Sequence, residues 1–231
     1  MGLYLRKMDE SPAIRLGDGL GLGISPDGKW VLAIAETSPA KFSLIPTGPG
    51  DPRTLEIAGF SAQFIGGWMP DGKSFFFLGN TPGLGLQLFL QDLAGGKPRA
   101  VSGEGGQITY GNAVTPDGKY VTAGAVGGKI MLYPVGGGEP RVLETSLPLD
   151  SPVRWSSDGR ILFIQPLGAR PARVDRLDVA TGKRETWKEF IPADASGVLN
   201  VGPILISADG QSYAYSFRRS LSDLYLVTGL K

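Results

Sequence analysis

A single turn motif recurs five times along the chain at nearly even spacing. Three copies read Pro-Asp-Gly-Lys, around Asp27, Asp71 and Asp117, and two altered copies keep Asp-Gly at Asp158 and Asp209. Successive aspartates of the motif lie 41 to 51 residues apart. A repeat of about 40–50 residues with several short strands in each unit is typical of a β-propeller.

The motif has the composition of a tight hairpin turn. Proline presets φ for a type I turn, aspartate bonds its own backbone, and glycine adopts the left-handed conformation that closes a bulged hairpin. Apolar, β-prone residues flank the first copy, Leu20–Ile24 before it and Trp30–Ala35 after it. We therefore expect each copy to join the inner strand of a blade to its second strand.

A second set of turns shares the same period. It consists of Gly95-Gly96-Lys97-Pro98, Gly136-Gly137-Gly138 and Thr181-Gly182-Lys183. Glycine allows positive φ in a tight hairpin, and a nearby proline is tolerated at the start of an outer strand. These turns are expected to join third to fourth strands. The chain is thus predicted to be all-β, a β-propeller of four-stranded antiparallel blades.

The repeats divide the chain into units of one propeller domain, residues 1–231, with about five blades. The units are a blade remnant at 1–17, full units at 18–58, 59–103, 104–147 and 148–190, and a partial last unit at 191–231. No helix longer than about two turns is expected. A short helical turn is predicted at Ala193–Gly197, in the connection that lengthens the last repeat.

Two arrangements of the ring remain open from the sequence. Leu3-Tyr4-Leu5 and Leu224-Tyr225-Leu226 match, and both suit the third strand of a blade. A closed five-bladed ring would use Ala13–Leu16 as the fourth strand of the last blade, which leaves Leu3–Met8 redundant. The alternative is that the chain is the C-terminal part of a larger ring of about six to eight blades. An open fragment would expose two sheet edges and tend to associate.

Composition excludes several functions. The formal net charge is +1, with 23 basic and 22 acidic residues, which gives no electrostatic support for nucleic-acid binding. No stretch of about 18 apolar residues occurs, so no membrane insertion by this chain is expected. Histidine and cysteine are both absent, which removes serine–histidine triads, thiolate catalysis and zinc–sulfur sites. We expect no enzymatic activity, no metal and no cofactor.

Four groups of residues were considered as site candidates. The turn aspartates could form a carboxylate ring, but bonding within each turn accounts for them. Gly19–Gly23 lacks the G-x-G-x-x-G spacing of a phosphate loop and is interpreted as a packed inner strand. Aromatic residues could line a groove, but packing between blades is favoured; they are Trp30, Trp68, Trp155, Trp187 and Phe75–Phe77.

The fourth group is basic. Arg154, Arg170, Arg173 and Arg176, and separately the pair Arg218–Arg219, could form a rim for an anionic partner, although a solvated surface is the default. No catalytic, cofactor-binding or metal-binding residue is assigned, and the ligand-binding residues stay unknown. They are expected in loops that lead into the inner strands, since loops on a rigid scaffold carry recognition.

The repeated Ser-Pro-Asp-Gly-Lys followed by an aromatic or apolar residue resembles the WD-like (PD40) repeat of TolB-type β-propellers. The closing stretch, Tyr213 to Lys231, is similar to the end of propellers that form the C-terminal half of bacterial eukaryotic-like serine/threonine kinases. Related propellers follow winged-helix regulators. The resemblance implies a sensor or interaction module. The chain contains neither a kinase nor a membrane span, so that role requires a longer parent protein.

These observations lead to one favoured function and two alternatives. The favoured one is a non-catalytic sensor or interaction module that binds a protein or small ligand, within a larger bacterial signalling protein that carries an upstream kinase or regulator domain. A membrane-anchored parent implies a periplasmic or extracytoplasmic location, and otherwise the cytoplasm is expected. The alternatives are the gating propeller of a prolyl oligopeptidase-type hydrolase and a free-standing TolB-like periplasmic scaffold.

Overall fold

The structure, a computed structural model, describes residues 2–7, 9, 11–35, 37, 41–60, 62–103, 108–125, 128–207 and 209–221. This part of the chain consists of strands joined by turns and loops, with no helix. The strands are β1 (Gly2–Leu5), β2 (Ile14–Asp18), β3 (Leu20–Ile24), β4 (Trp30–Ala35), β5 (Lys41–Pro46), β6 (Arg53–Leu55), β7 (Ala62–Trp68), β8 (Ser74–Thr81), β9 (Gly85–Asp92), β10 (Arg99–Ala100), β11 (Ile108–Val114), β12 (Tyr120–Ala125), β13 (Ile130–Pro134), β14 (Arg141–Val142), β15 (Asp150–Trp155), β16 (Ile161–Pro166), β17 (Ala172–Asp178), β18 (Arg184–Phe190), β19 (Val198–Ile206) and β20 (Tyr213–Arg219).

Four antiparallel sheets, each of four consecutive strands, form the body of the protein. We call them blade I (β3–β6), blade II (β7–β10), blade III (β11–β14) and blade IV (β15–β18). Two-stranded sheets precede and follow them, the N-terminal hairpin β1–β2 and the C-terminal hairpin β19–β20. The predicted β-propeller of four-stranded antiparallel blades is confirmed. The described residues contain no helix that is long and apolar enough to cross a membrane.

Two predicted elements differ from the structure or lie beyond it. The helical turn predicted at Ala193–Gly197 is wrong, because bends and a turn occupy this segment. The Asp194 carboxylate accepts the Ser196 N–H at 2.9 Å, which competes with helical bonding, and Gly197 follows with φ +67°. The third strand expected near Leu224–Val227 falls outside the described residues, so the choice between a closed and a larger ring stays a prediction.

The core lies between successive blades. One cluster joins Leu32 and Phe42 of blade I to Phe75 and Phe77 of blade II, all nearly or fully buried. Phe76, on the opposite face of the same strand, packs instead into the cluster between blades II and III. This alternation follows from the period of two in a strand. Each blade therefore contributes one face to each of its two neighbours.

The four tryptophans also lie in clusters between sheets. Trp30 and Trp68 pack between blades I and II, and Trp155 between blades III and IV. Trp187 packs between blade IV and the C-terminal hairpin. The Trp155 indole N–H also donates to the Thr122 hydroxyl of blade III at 3.2 Å. The prediction that the aromatic residues fill the space between blades is confirmed.

Gly19, just before β3, and Gly21, within it, allow neighbouring groups to approach closely. A Cβ atom on Gly19, where φ is +125°, would lie 2.8 Å from the Ile34 carbonyl oxygen. A Cβ on Gly21 would lie 2.9 Å from the Leu3 side chain of the N-terminal hairpin. The interpretation of Gly19–Gly23 as a packed inner strand is thus supported by its surroundings.

Turns of neighbouring blades contact one another at one end of the propeller. A Cβ on the turn glycine Gly72 would lie 3.6 Å from Pro26 of the preceding turn, and Gly118 has the same relation to Pro70 at 3.8 Å. Gly159 repeats it with Pro116 at 3.7 Å. We call this end, which carries the Asp-Gly turns, the turn face. The opposite end is the loop face; it carries the loops between second and third strands and the connections between blades.

Candidate functional site

The five turn aspartates are occupied by bonds within their own turns. The Asp27 carboxylate accepts the Ser25 hydroxyl at 2.6 Å and the Lys29 N–H at 3.1 Å. Asp117, Asp158 and Asp209 repeat this pattern, and Asp71 accepts the N–H two residues later. These bonds favour the charged form and lower the pKa of four of the carboxyls, those of Asp27, Asp117, Asp158 and Asp209. The largest cause is the bond from the Ser or Thr hydroxyl two residues earlier, and the second is the bond from the backbone N–H two residues later.

Each turn aspartate therefore has a structural role in its own blade. No group of three or more acidic side chains in the described residues could hold a metal ion. The carboxylate ring considered from the sequence is not brought together by the fold.

A cavity of about 800 Å³ opens between blades III and IV near the turn face. Its walls include Tyr120 and Trp155, and the Arg141 guanidinium lies 4.7 Å from the centre of the Tyr120 ring. The three acidic residues that line it are already engaged: Glu144 pairs with Lys129 at 2.8 Å, and Asp117 and Asp158 are bonded within their turns. This cavity is therefore a gap between two blades, and the charged side chains that line it already have partners within the protein.

A buried ion network lies inside blade IV. The Arg184 guanidinium donates two bonds to Asp150, at 2.9 and 3.0 Å, and a third to Asp175 at 2.8 Å. Both carboxylates are only 2% exposed. Arg173 and the Thr186 hydroxyl also bond Asp175, each at 3.1 Å. The network joins the inner, third and outer strands of this blade.

The network also fixes a loop on the loop face. The Leu147 N–H donates to the Asp150 carboxylate at 2.7 Å. Leu149, in the same loop, has φ +67° and is the one non-glycine residue with positive φ in the described chain. Its carbonyl accepts the Leu167 N–H at 2.9 Å, which ties this loop to the loop between β16 and β17. Buried charges thus hold two loops of the loop face together.

A second cavity, of about 500 Å³, opens on the loop face beside these loops. It lies between the loop that joins β16 to β17, the connection from blade IV into β19, and the start of β19 itself. Its lining is mainly apolar and includes Leu167, Ile191 and Leu199, which are 41%, 59% and 56% exposed. Large apolar side chains thus reach solvent around a concave surface.

One charged side chain lines this loop-face cavity. Among the described residues Arg170 has no ion pair, and Gln165 and Asn200 are the other polar side chains of the lining. Asp194 in the adjacent connection is already paired with Arg219 at 2.9 Å. The cavity therefore combines an apolar wall with a single uncompensated positive charge.

The basic residues considered from the sequence do not form a continuous rim. Arg154 donates to the Ile206 carbonyl at 3.1 Å, and Arg173 is bound to Asp175. Arg176 lies over the Phe163 ring at 5.7 Å. Of the pair Arg218–Arg219, the second is held by Asp194. Arg170 alone of these residues lines the loop-face cavity.

The sequence predicts recognition in loops that lead into inner strands, and it offers Arg170 only as one member of a basic rim. The apolar lining has no local sequence pattern, because Leu167 lies on a different loop from Ile191 and Leu199 and meets them only in the folded chain. A usable signal was present, since large apolar residues stand within proline-containing loops at Leu167 and Ile191. Several large apolar residues exposed together on loops are typical of a binding surface.

Comparison with known proteins gives likenesses of fold. No protein-family model matches the sequence, and no curated protein matches it. Among solved structures, TolB from Acinetobacter baumannii superposes with a TM-score of 0.70 at 19% identity, covering 94% of this chain and 59% of that one. A protein described as TolB from Agrobacterium tumefaciens gives 0.64 at 17% identity, covering 90% of this chain and 80% of that one.

A third likeness is to a prolyl endopeptidase. It has a TM-score of 0.55 at 20% identity and covers 94% of this chain but 36% of that one. The chain thus spans less than two thirds of the Acinetobacter TolB and about a third of the peptidase. At these identities the likeness concerns the fold. The fold of this chain is the β-propeller that TolB-type proteins share.

Proposed function

We propose that this chain is a non-catalytic β-propeller module that binds a protein partner through the loop-face cavity beside blade IV. The observation that carries the proposal is the group of exposed apolar side chains, Leu167, Ile191 and Leu199, around the loop-face cavity. Apolar groups that reach solvent around a concave surface are typical of binding sites. The absence of histidine and cysteine from the sequence supports a role without catalysis.

Site-specific photo-crosslinking in the source cells tests this proposal. Benzoylphenylalanine at Leu199 should give a covalent adduct with one partner protein. The same group at Leu84, which is 40% exposed on the loop face of blade II, serves as the matched control and should give little adduct. Equal labelling from both positions, or no adduct from either, would overturn the proposal. Retention of a small metabolite by the purified chain, with no adduct, would favour a small ligand instead.

We further propose that the module belongs to a larger bacterial signalling protein, such as a serine/threonine kinase. The resemblance of the closing stretch, Tyr213 to Lys231, to kinase-linked propellers supports this. A membrane-anchored parent would place the module in the periplasm or outside the cell, and otherwise in the cytoplasm. A blot of source cells with an antibody to blade IV tests it. A band near 24.4 kDa would contradict it.

The likeness to a prolyl endopeptidase favours a second candidate, a propeller that gates a hydrolase domain. It predicts a Gly-x-Ser-x-Gly region in the same reading frame after this chain. A free-standing TolB-like scaffold is the third candidate. It predicts a partner that co-purifies from envelope extract with the folded chain and not with a denatured control.

A further inference from the structure

We propose that the loop-face cavity binds a peptide segment of the partner whose apolar side chains flank an acidic residue, with that carboxylate paired to Arg170. This inference rests on the proposed function and adds the chemistry of the ligand. Three features of the site support it: its apolar walls, its single charge and its fixed loops.

The walls favour apolar side chains. Leu167, Ile191 and Leu199 are exposed around the opening, and Phe190 is buried at its base. The volume of about 500 Å³ falls within the range of about 300–1,000 Å³ common for ligand pockets. Burying these side chains under a ligand would remove apolar surface from water, which is the main favourable contribution to such binding.

The charge favours an acidic group. Arg170 is the single formally charged residue among the described lining residues, so the cavity attracts one negative charge and offers no second cation. A guanidinium binds a carboxylate through two parallel N–H···O bonds. A nucleic acid would require several such cations along its backbone. One carboxylate between apolar groups therefore matches this surface better than a polyanion does.

The loops are fixed before any ligand arrives. The Leu167 N–H is bonded to the Leu149 carbonyl, and the Ala169 N–H to the Pro166 carbonyl at 3.3 Å. The adjacent loop is held by the Asp150–Arg184 pair described above. A site that is already ordered pays less conformational entropy on binding. Arg170 is thus presented on a rigid loop beside the apolar wall.

Selection from a random linear peptide library displayed on phage, with the full chain as bait, tests the inference. We expect enriched peptides in which Asp or Glu stands between apolar residues. A synthetic copy of the commonest peptide, capped at both ends, is then titrated against variants. Arg170→Glu should weaken its binding by about tenfold or more. Arg99→Glu, the same reversal at an exposed arginine of blade II, should leave binding unchanged.

A second pair of variants tests the apolar wall. Leu199→Gln should weaken peptide binding by about tenfold, whereas Leu84→Gln should not. Each variant is first shown to fold by circular dichroism and thermal unfolding. If Arg170→Glu binds the peptide as the wild type does, or no acidic peptide is enriched, the inference is overturned. Self-association of the chain that Leu199→Gln abolishes would also overturn it, because a second copy would then occupy the cavity.

The two proposals fail in different ways. If crosslinking at Leu199 captures a partner but Arg170→Glu leaves that capture intact, the loop face binds a protein without the acidic contact. The further inference then falls and the proposed function stands. If neither peptide binding nor crosslinking occurs at Leu199, both fall.

Discussion

Each turn glycine adopts a positive φ that closes its own hairpin, and three of them also lie beside a proline of the preceding blade. Gly118 has φ +70°, a left-handed conformation that side chains with a Cβ adopt at a cost. A Cβ there would also meet Pro70 and Met69 of the preceding blade at 3.8 and 4.0 Å, which is ordinary contact. The cost of a substitution therefore arises from the backbone and not from crowding.

We expect Gly118→Ala to lower the free energy of unfolding by about 1–2 kcal/mol, because alanine resists the left-handed conformation. Gly136→Ala is the matched control. Gly136 lies in another turn of the same blade, without positive φ and with open space around its Cα, so its substitution should change stability by less than about 0.5 kcal/mol. Urea unfolding followed by tryptophan fluorescence measures both. Equal effects would show that positive φ is not the cause.

The Asp178 carboxyl should make the stability of the protein depend on pH. The Thr181 backbone N–H first, and the Arg160 guanidinium second, lower the pKa of Asp178 from its ordinary value of 3.8 to about 2. A carboxyl with a lowered pKa stabilises the folded state fully above about pH 4, and this contribution is lost as pH falls through about 2. Asp178→Asn should therefore be less stable than the wild type at pH 7, and the gap should narrow between pH 4 and 2.

Arg160→Met separates the two causes. The backbone bond from Thr181 to Asp178 remains in this variant. Its stability should therefore still fall between pH 4 and 2, by most of the amount seen in the wild type. Chemical unfolding midpoints across that pH range measure it. A gap between wild type and Asp178→Asn that stays constant with pH would contradict the assignment.

At the scale of the elements, blade IV differs from the other blades in its buried charges. Arg184 links Asp150 on the inner strand to Asp175 on the third strand, and its own side chain is 20% exposed. A buried charge left without its partner destabilises more than the intact pair stabilises. The network is therefore expected to be sensitive to the loss of one member and tolerant of the loss of all three.

Arg184→Met should destabilise the protein by about 3–5 kcal/mol, because it leaves the buried Asp150 carboxylate without its cation and removes one of the two arginines that bond Asp175. The combined variant Asp150→Asn, Asp175→Asn and Arg184→Met should recover much of that loss. Arg15→Met breaks an exposed pair with Asp18 and should have little measurable effect. Thermal unfolding of the three variants checks this. A triple variant no more stable than Arg184→Met would show that the charges are not the source.

How far the sequence leads depends on how local the information is. The Asp-Gly turns and the alternation of Phe75, Phe76 and Phe77 are short-range patterns, so strands, turns and packing faces could be predicted from them. The Asp150–Arg184 pair spans 34 residues and has no local pattern. The same holds for the loop-face cavity, whose walls meet only after blade IV and the C-terminal hairpin have packed. Asp194 shows the limit within one loop, because its side chain bond replaced an expected helical turn.

At the scale of the whole molecule, stability should be uneven. Blades I to IV each have four strands, and each packs between two neighbouring sheets. The hairpins β1–β2 and β19–β20 have only two strands each in the described residues. Leu205 and Phe217 of the C-terminal hairpin are largely exposed. Two-stranded sheets that bury little apolar surface open more readily than central strands.

Hydrogen exchange measured by mass spectrometry should show this gradient. Amides of β8, β12 and β16, the second strands of blades II to IV, should be the slowest to exchange. Amides of β1, β2 and β20 should exchange faster, since local opening there does not require a blade to unfold. Protection of β20 equal to that of β8 would mean that the C-terminal hairpin is as firmly held as a full blade.

The contacts between turns have an evolutionary consequence. At the three joints between blades I and IV, the proline of one turn lies 3.6 to 3.8 Å from where a Cβ would stand on the glycine of the next, so blades II and III carry both halves of the same joint. A duplicated repeat inserted between two others would find a fitting neighbour on each side. Where Ser157 replaces the proline, Gly210 of the following turn lies against Phe163 instead. We therefore expect duplication of a whole repeat to be tolerated more easily before that position than after Ser157, where the joint has a different partner.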